Sequence, residues 1–572
     1  MNDSDFATRV KIISLISFSL FLLLFVRLFQ KSVLEHSGYV AKAKEQQQFS
    51  QIELGQRGKI YFHDSSLDLA KNYAMAYDIK SFALFVVPKN IKDKKFVASK
   101  LAPFIGESEM EIFVKIDNDK SYLPALKKDL SYDEADKIES LDIPGVYVLP
   151  EYKRYYPESD FSSQILGFVD KEGDGKYGFE GYYDKELKGS SGKITGEKDT
   201  FGRIISLLSE EKPQNGTSFI LSIDRAVNFY IWKTLSEAIK QYQAESGMVV
   251  AVEIESGKVI GMAASPSFDP NKYQDYANSN QQELFKNPLI ANSYEPGSIF
   301  KPIIVASGLD SGKITPESAG NFGASVDVSG FTIHTAENKA FGHETVGEIL
   351  KHSDNVGMVW VGEQIGSQIM YDYIEKFGLM KKTGIDLTGE NTGIVQKLKD
   401  WGKIGQATVT FGQGISVTPI QLVMAYAAIA NGGVAMQPKV VDKIINSNGE
   451  ISEVEPVESG RVISEKTASD LKKMLIDVVE EGYGKKAGVP GFWVAGKTGT
   501  AQIADPSTGK YSEGIFNHSF AGFAPADNPR FALLVELSKP KNAKFAESSA
   551  APVFGNIASY LLNYYYRISP NR

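Results

Sequence analysis

No cysteine occurs in the 572 residues, which excludes a disulfide framework, a thiolate zinc site and a cysteine nucleophile. Histidine is nearly as scarce: the six are His36, His63, His334, His343, His352 and His518, and no two share the close helical spacing of a metal motif. No histidine-rich metal site is expected, and each reads first as a surface or hydrogen-bonded structural residue. Only His352, beside Ser353, and His518, beside the strand-like Ser519-Phe520, stand out for their neighbours. Basic residues are outnumbered, 62 Lys and Arg against 70 Asp and Glu, for a net charge of -8. That deficit speaks against nucleic acid as a partner and leaves the fold undecided.

A chain of this length exceeds what one hydrophobic core serves, so two or three domains are expected. Ile12 to Val26 is an uncharged apolar run, extended by Val10 before it and Leu28-Phe29 after it. With Lys11 and Arg27 snorkelling it reaches about 20 residues, which at ~1.5 Å per residue matches a hydrocarbon core of ~30 Å. Residues 10–29 are therefore read as an uncleaved transmembrane anchor, with 1–9 as a short tail before it. A cleaved signal peptide fits less well, because the run is long, lacks a small-residue cleavage site and continues into Lys31-Ser32-Val33-Leu34. Arg9 and Lys11 balance Arg27 and Lys31, so the charge rule does not set the orientation.

Residues 30–50, with Gln46-Gln47-Gln48, read as a polar helical stalk. Over 51–213, short β-like runs (Phe82 to Val87, Tyr147 to Leu149) mix with charged amphipathic helices such as Ser131 to Leu141. That mixture points to an α+β module, and it carries no catalytic constellation. Gly173-Asp174-Gly175-Lys176-Tyr177-Gly178 lacks the βαβ context of a nucleotide loop and reads as a turn cluster.

Composition turns near Lys212-Pro213-Gln214-Asn215-Gly216, and 214–572 reads as a further module. It opens with an amphipathic helix, Arg225 to Tyr242, followed by a hairpin of Gly247 to Ile254 and Val259 to Ala264. Three more strands are expected near the C-terminus: Phe492 to Ile503, Phe516 to Phe523 and Phe531 to Leu537. Asp505-Pro506-Ser507-Thr508-Gly509-Lys510 turns between the first two, and an apolar helix, Ala551 to Tyr565, follows the last. The fold class is thus α+β, with five antiparallel strands flanked by the first and last helices and a mostly helical insert between strands two and three.

That insert holds Glu295-Pro296-Gly297-Ser298-Ile299-Phe300-Lys301-Pro302. A buried helix beginning near Ser298 puts Ser298 and Lys301 on one face of its first turn, hydroxyl beside amine. Unsatisfied backbone N–H groups there favour negative charge developing on an attacked carbonyl, which suggests an acyl-transfer nucleophile. The spacing alone is weak, since it recurs as solvated surface at Ser190/Lys193, Ser469/Lys472 and Ser538/Lys541. Two further groups supply partners. Ser353-Asp354-Asn355 offers a hydroxyl to relay a proton and an amide to hold a carbonyl. Lys497-Thr498-Gly499-Thr500 offers a cation and two hydroxyls for a carboxylate, with Gly499 admitting substrate to the backbone. Lys382-Thr383-Gly384 spells the same triplet, but no apolar strand precedes it as Phe492 to Gly496 precedes Lys497.

Ser-x-x-Lys, Ser-x-Asn and Lys-Thr-Gly, in that order, resemble the motif set of penicillin-binding proteins and serine β-lactamases. The resemblance runs on through most of the chain. Arg57-Gly58-Lys59-Ile60-Tyr61, Arg154-Tyr155-Tyr156-Pro157, Leu166-Gly167-Phe168-Val169 and Gly178-Phe179-Glu180 look like the pedestal of class B penicillin-binding proteins. Ala263 to Asn271 and Gly412 to Pro419 look like their transpeptidase domain. Phe62-His63-Asp64-Ser65-Ser66 departs from the family's usual Asp-Arg-Asn-Gly-like turn, and the family's Ser-x-Asn assigns Asp354 no role.

The resemblance implies a pedestal over 51–213, a transpeptidase domain over 214–572, and placement in the cell membrane with 1–9 as a short cytoplasmic tail and the bulk extracytoplasmic. It implies cross-linking of peptidoglycan stem peptides ending in D-Ala-D-Ala, with a possible side D,D-carboxypeptidase activity and β-lactams as inhibitors. Ser298 would be acylated, with Lys301 as base and Ser353 as proton relay; Asn355 would hold the stem amide, and Lys497, Thr498 and Thr500 the terminal carboxylate. Moving a lysine from ~10.4 to near 7 takes roughly 4 to 5 kcal/mol at about 1.36 per unit, which burial and the like charge of Lys497 would supply. No metal or organic cofactor is required, and a glycan polymerase and other wall-synthesis membrane proteins are the implied partners. A degenerate wall-machinery scaffold is the main alternative, disfavoured by intact motifs. A β-lactamase would need neither anchor nor pedestal. Division and elongation both stay open as the setting.

Overall fold

The computed structural model describes residues 3–40, 48–53, 55–64, 72–120, 123–198, 204–504 and 511–570. The expected turn over 505–510 and the residues 41–47, 65 and 66 lie outside these. Two compact units divide the chain: residues 1–56 with 189–215, and residues 57–188 with 216–572.

In the first unit, Asp3–Phe29 is helical and runs into a wider turn, Gln30–Leu34. The span Phe6–Leu34 is long and apolar enough to cross a membrane, and none of it is buried. The stalk expected over 30–50 is corrected at its end, where Gln48–Glu53 is a strand. It pairs antiparallel with Gly192–Lys198, which pairs with Ile204–Glu211. Gln48–Glu53 has no helical apolar period of its own, so long-range pairing decides its conformation.

The second unit is built on two large sheets. One has seven strands and draws on three distant parts of the chain. Ile60–His63 lies parallel to Ser218–Asp224, which pairs with Val441–Ile445, while on its other side Ile60–His63 pairs with Asn72–Val86. Residues from the expected modules 51–213 and 214–572 thus share one sheet. The predicted helix near Ser131 is Tyr132–Glu139, started by a capping box between Ser131 and Glu134.

Arg57, Arg154 and Glu180, from three separated motifs, meet in this unit. Glu180 is fully buried and accepts from Arg57 Nε and Arg154 Nε, each at 2.7 Å. Arg57 also reaches Asp184 at 2.8 Å, and Arg154 reaches Asp78 at 3.1 Å and the Gly58 carbonyl at 2.8 Å. Burial pushes the Glu180 carboxyl up, but the two guanidiniums outweigh it and hold the group below its ordinary range. At the departure from the family turn, His63 Nε2 lies 3.0 Å from Asp442, which also accepts from Lys258 at 2.6 Å.

The second sheet is the expected five-stranded one. Helix α1 (Arg225–Tyr242), capped by Asp224, leads to β1 (Ser246–Glu253) and β2 (Val259–Ser265). Then comes the insert, holding α2 (Lys301–Asp310), α3 (Val346–His352), α4 (Asn355–Ile365) and α5 (Pro419–Ala430). Strands β3 (Ala495–Ala504), β4 (Tyr511–Ala524) and β5 (Phe531–Ser538) and helix α6 (Ala550–Tyr560) complete it. The order is β2-β1-β5-β4-β3, antiparallel throughout, so β3 is an edge. The period of two divides the side chains: Val249, Leu533 and Val535 pack with α1 and α6, while Val250, Leu534 and Ala521 pack with Phe300, Ile303 and Val423 of the insert. The insert also carries two hairpins, 319–322 with 342–345 and 325–328 with 331–334, that its helical pattern did not announce.

Replacing Glu180 by Ala removes the buried carboxylate that two buried guanidiniums share and is expected to cost roughly 3–5 kcal/mol. Glu283→Ala, which breaks the exposed pair with Lys286, is expected to stay within about 1 kcal/mol. Denaturant midpoints of the two variants check this; equal losses would contradict it.

Candidate active site

The nucleophile candidate does not open an α-helix directly. Gly297–Phe300 is a 3-10 turn, and α2 begins at Lys301 with Pro302 at its start, where a missing N–H costs nothing. Gly297 has φ +57°, a conformation that glycine adopts without strain, and its N–H donates to the Gly412 carbonyl at 3.0 Å. Three backbones converge here. A Cβ on Gly412 would lie 2.2 Å from Gly297 O, and one on Gly297 would lie 2.9 Å from Ala501 Cβ on β3. One on Gly499 would meet Ser519 Oγ at 2.5 Å, Ile299 Cγ2 at 3.0 Å and Pro296 O at 3.1 Å. The turn carrying Ser298 therefore lies directly against the edge strand carrying Lys497, Thr498, Gly499 and Thr500. Tyr426 of α5 fixes it from behind, its hydroxyl donating to Ile299 O at 2.7 Å.

Lys301 has no exposed surface. Its amine donates to Ser353 O at 2.6 Å, Asn355 Oδ1 at 2.8 Å and Ser353 Oγ at 3.2 Å. The expected contact between Lys301 and Ser298 is corrected in one respect: among the described residues no hydrogen bond joins Ser298 Oγ to the amine. An amine has three donors, and the carbonyl, amide and hydroxyl oxygens of the α3–α4 junction take them all. Burial pushes Lys301 down to about 7, against the opposing pull of Asp354 and Glu344. Lys497 is also fully buried, and burial together with the charge of Lys301 drives it well below the ordinary lysine value. The amine of Lys497 donates to the carbonyl of Thr498 at 3.2 Å. Thr500 Oγ1 accepts from the N–H of Ala546 at 3.2 Å, leaving its proton free to donate elsewhere.

Ser353 sits between two helices in a left-handed conformation, φ +57°, ending α3. Asp354 begins α4, accepting from Val356 N at 2.8 Å and Gly357 N at 2.9 Å. This is ordinary N-capping and was readable from the Asp before an apolar run. Glu344, by contrast, carries no sequence signal; it lies buried beside Asp354 and His352. Glu295 was also passed over: it accepts from Gly414 N at 2.9 Å and from the Tyr511 hydroxyl at 3.0 Å, tying the turn to the Gly412-to-Pro419 stretch and to β4.

The remaining sequence candidates fall elsewhere. Thr383 Oγ1 and Gly384 N of the second Lys-Thr-Gly are bound to Glu390 at 2.6 and 3.1 Å, closing a loop on itself. His518 is buried against Ser549 Oγ at 2.8 Å and pushed down to about 4 by burial, a neutral structural residue. Among the described residues no group of His, Asp or Glu is arranged to hold a metal ion.

A five-stranded antiparallel sheet covered on both faces, with a Ser-x-x-Lys turn against its edge and a Ser-x-Asn junction on the lysine, defines the penicillin-recognising serine enzymes. Residues 247–559 match the penicillin binding protein transpeptidase domain, and residues 52–221 match the penicillin-binding protein dimerisation domain. Stage V sporulation protein D of Bacillus subtilis is 35% identical over 83% of this chain and 74% of its own length. Peptidoglycan D,D-transpeptidase FtsI of Escherichia coli is 32% identical over 78% of this chain and 73% of its own. The crystal structure of a peptidoglycan synthetase from Bifidobacterium adolescentis superposes with a TM-score of 0.73 at 26% identity, covering 92% of this chain and 98% of that one. The chain belongs to the class B penicillin-binding proteins.

Gly412→Ala puts a methyl group into the Gly297 carbonyl and is expected to destabilise the protein by about 1–3 kcal/mol. Gly402→Ala, with open space around it, is the control and should change nothing measurable. Thermal unfolding checks the pair; an unperturbed Gly412→Ala would contradict the convergence of backbones described above.

Proposed function

We infer that this chain is a membrane-anchored peptidoglycan D,D-transpeptidase in which Ser298 is the acylated residue. The observation that carries this reading is the burial of Lys301, held by Ser353 and Asn355 beside the turn of Ser298 and pushed down to about 7. A lysine near neutrality can take a proton, which an exposed one cannot at neutral pH. Ser298 Oγ attacks the carbonyl of the penultimate D-Ala while the lysine side of the site accepts its proton. Ser353 Oγ, 3.2 Å from the amine, passes a proton to the leaving D-Ala nitrogen, and the amine of a second stem then displaces Ser298. The hydroxyl of Ser353 is already on the amine, and the path Ser298–Lys301–Ser353 closes when Ser298 Oγ replaces one of the amine's resting acceptors.

Asn355 holds the stem amide. Lys497, Thr498 and Thr500 take the terminal carboxylate along the β3 edge, with Gly499 leaving room for it. The N–H of Ser298, in a first turn where such donors lack intrahelical partners, and that of Thr500 stabilise the oxyanion, where one donor is commonly worth ~10² to 10³ in rate. Water in place of the amine gives D,D-carboxypeptidation, and a β-lactam, whose ring carbonyl takes the place of the scissile one, gives a stable acyl-enzyme. The anchor over 10–29 sets the chain as single-pass in the cell membrane, with the pedestal of 51–213 and the transpeptidase domain of 214–572 outside. A glycan polymerase of the wall-synthesis machinery is the proposed partner.

Fluorescent penicillin labelling tests the reading. Ser298→Ala should take no label, and Lys301→Arg, a permanent cation, should label at least about 10²-fold more slowly. Because the base must be neutral, labelling of the wild type should rise with pH through about 7 and level off above it. A pH-independent rate, or label retained by Ser298→Ala, would overturn it.

A further inference from the structure

Glu344 lies on the strand 342–345, just before α3, and is 2% exposed. Its Oε1 meets Nδ1 of His352 at 2.5 Å, and the His352 ring stacks on Phe341 with centroids 5.2 Å apart and planes within 4°. Its Oε2 is buried and has no donor within hydrogen-bonding distance. The Glu344 carboxyl is also in side-chain hydrogen-bonding contact with Asp354, which is itself completely buried and whose two oxygens already cap α4. A buried carboxyl set against another, with no other donor for it, is satisfied when it carries a proton of its own to donate.

The two residues that Glu344 touches, His352 and Asp354, flank Ser353 on either side. Ser353 is the residue in the left-handed conformation, and its carbonyl and hydroxyl are two of the three acceptors of Lys301. We propose that Glu344 is a positioning residue for the acylation site: sharing one proton with Asp354, it clamps both neighbours of Ser353 and so fixes the acceptors of Lys301. The inference rests on the reading of Lys301 and Ser298 given above.

The charges around the clamp set its pH behaviour. Lys301 faces Asp354, Glu344 and Lys497; Glu344 faces Lys301, His352, Asp354 and Tyr483. Burial raises the Glu344 carboxyl above its ordinary value, with the His352 hydrogen bond opposing and Asp354 adding to the rise. A carboxyl whose folded value exceeds its unfolded one contributes stability that is complete below the unfolded value and is lost as pH rises towards the folded one. Loss of the shared proton sets Glu344 against Asp354 and loosens the junction. Gln at 344 reproduces the protonated acid at every pH, its oxygen facing His352 and its amide donating to Asp354.

Full-length wild type, Glu344→Gln and Glu344→Leu in detergent are compared by thermal unfolding and by fluorescent-penicillin labelling from pH 5 to 9. The melting temperature of Glu344→Gln should gain steadily on wild type as pH rises. At pH 7 its labelling rate should stay within about threefold of wild type, while Glu344→Leu, which has no donor for Asp354, falls about tenfold or more. A melting difference independent of pH, or Glu344→Leu labelling as fast as wild type, would overturn the clamp while leaving Ser298 in its role. No labelling of the wild type would overturn the Ser298 reading and the positioning role with it.

Discussion

A lysine amine with no exposed surface has to be solvated by the protein, and the rest of this site follows from how that is done. Lys301 stands at the start of α2, while its acceptors come from residues 353 and 355, some fifty positions later at the junction of α3 and α4. The three hydrogen bonds bind two helical layers together and leave a polar group in an apolar core at a tolerable cost. The same burial that demands those acceptors also lowers the affinity of the amine for its proton. Structural satisfaction and chemical readiness are thus one constraint, met by the Ser-x-Asn junction.

The second requirement is that three backbones come closer than side chains allow. Gly297, Gly412 and Gly499 lie where a single methyl group would strike a carbonyl or a neighbouring strand. These glycines let the turn of Ser298 press against the β3 edge, and β3 can serve because it is the last strand of the sheet, with one side unpaired. The apolar faces of the sheet are sealed by α1 and α6 on one side and by the insert on the other, and Lys497 lies on one of its two edge strands.

Periodic elements were plain in the sequence. The helix from Arg225 to Tyr242 and the strands around Val249, Val259, Lys497, Phe520 and Leu534 each have an apolar pattern that states their period. Ser298, Lys301, Ser353, Asn355 and Lys497 were picked out by type and spacing, yet spacing could not tell which hydroxyl the amine would hold. It holds that of Ser353, since a buried donor takes whatever acceptors the tertiary fold presents. Glu344 had no signal at all, because a lone glutamate before a helix looks like any surface residue until burial is known. The seven-stranded sheet was equally hidden: nothing local in Ile60–His63 says that it pairs in parallel with Ser218–Asp224. The buried cluster of Glu180 with Arg57 and Arg154 joins motifs that had been seen only as separate family resemblances.

Two serines, Ser298 and Ser353, are candidates for the covalent step, and only Ser353 has its hydroxyl hydrogen-bonded to Lys301 in the resting structure. The proposal of Ser298 as nucleophile rests on the buried Lys301 next to its turn and on the place of that turn against β3, and locating the covalent adduct decides it. Full-length protein acylated with a penicillin, digested and mapped by tandem mass spectrometry, should carry the added mass on Ser298. An adduct on Ser353, or none on either serine, would contradict it.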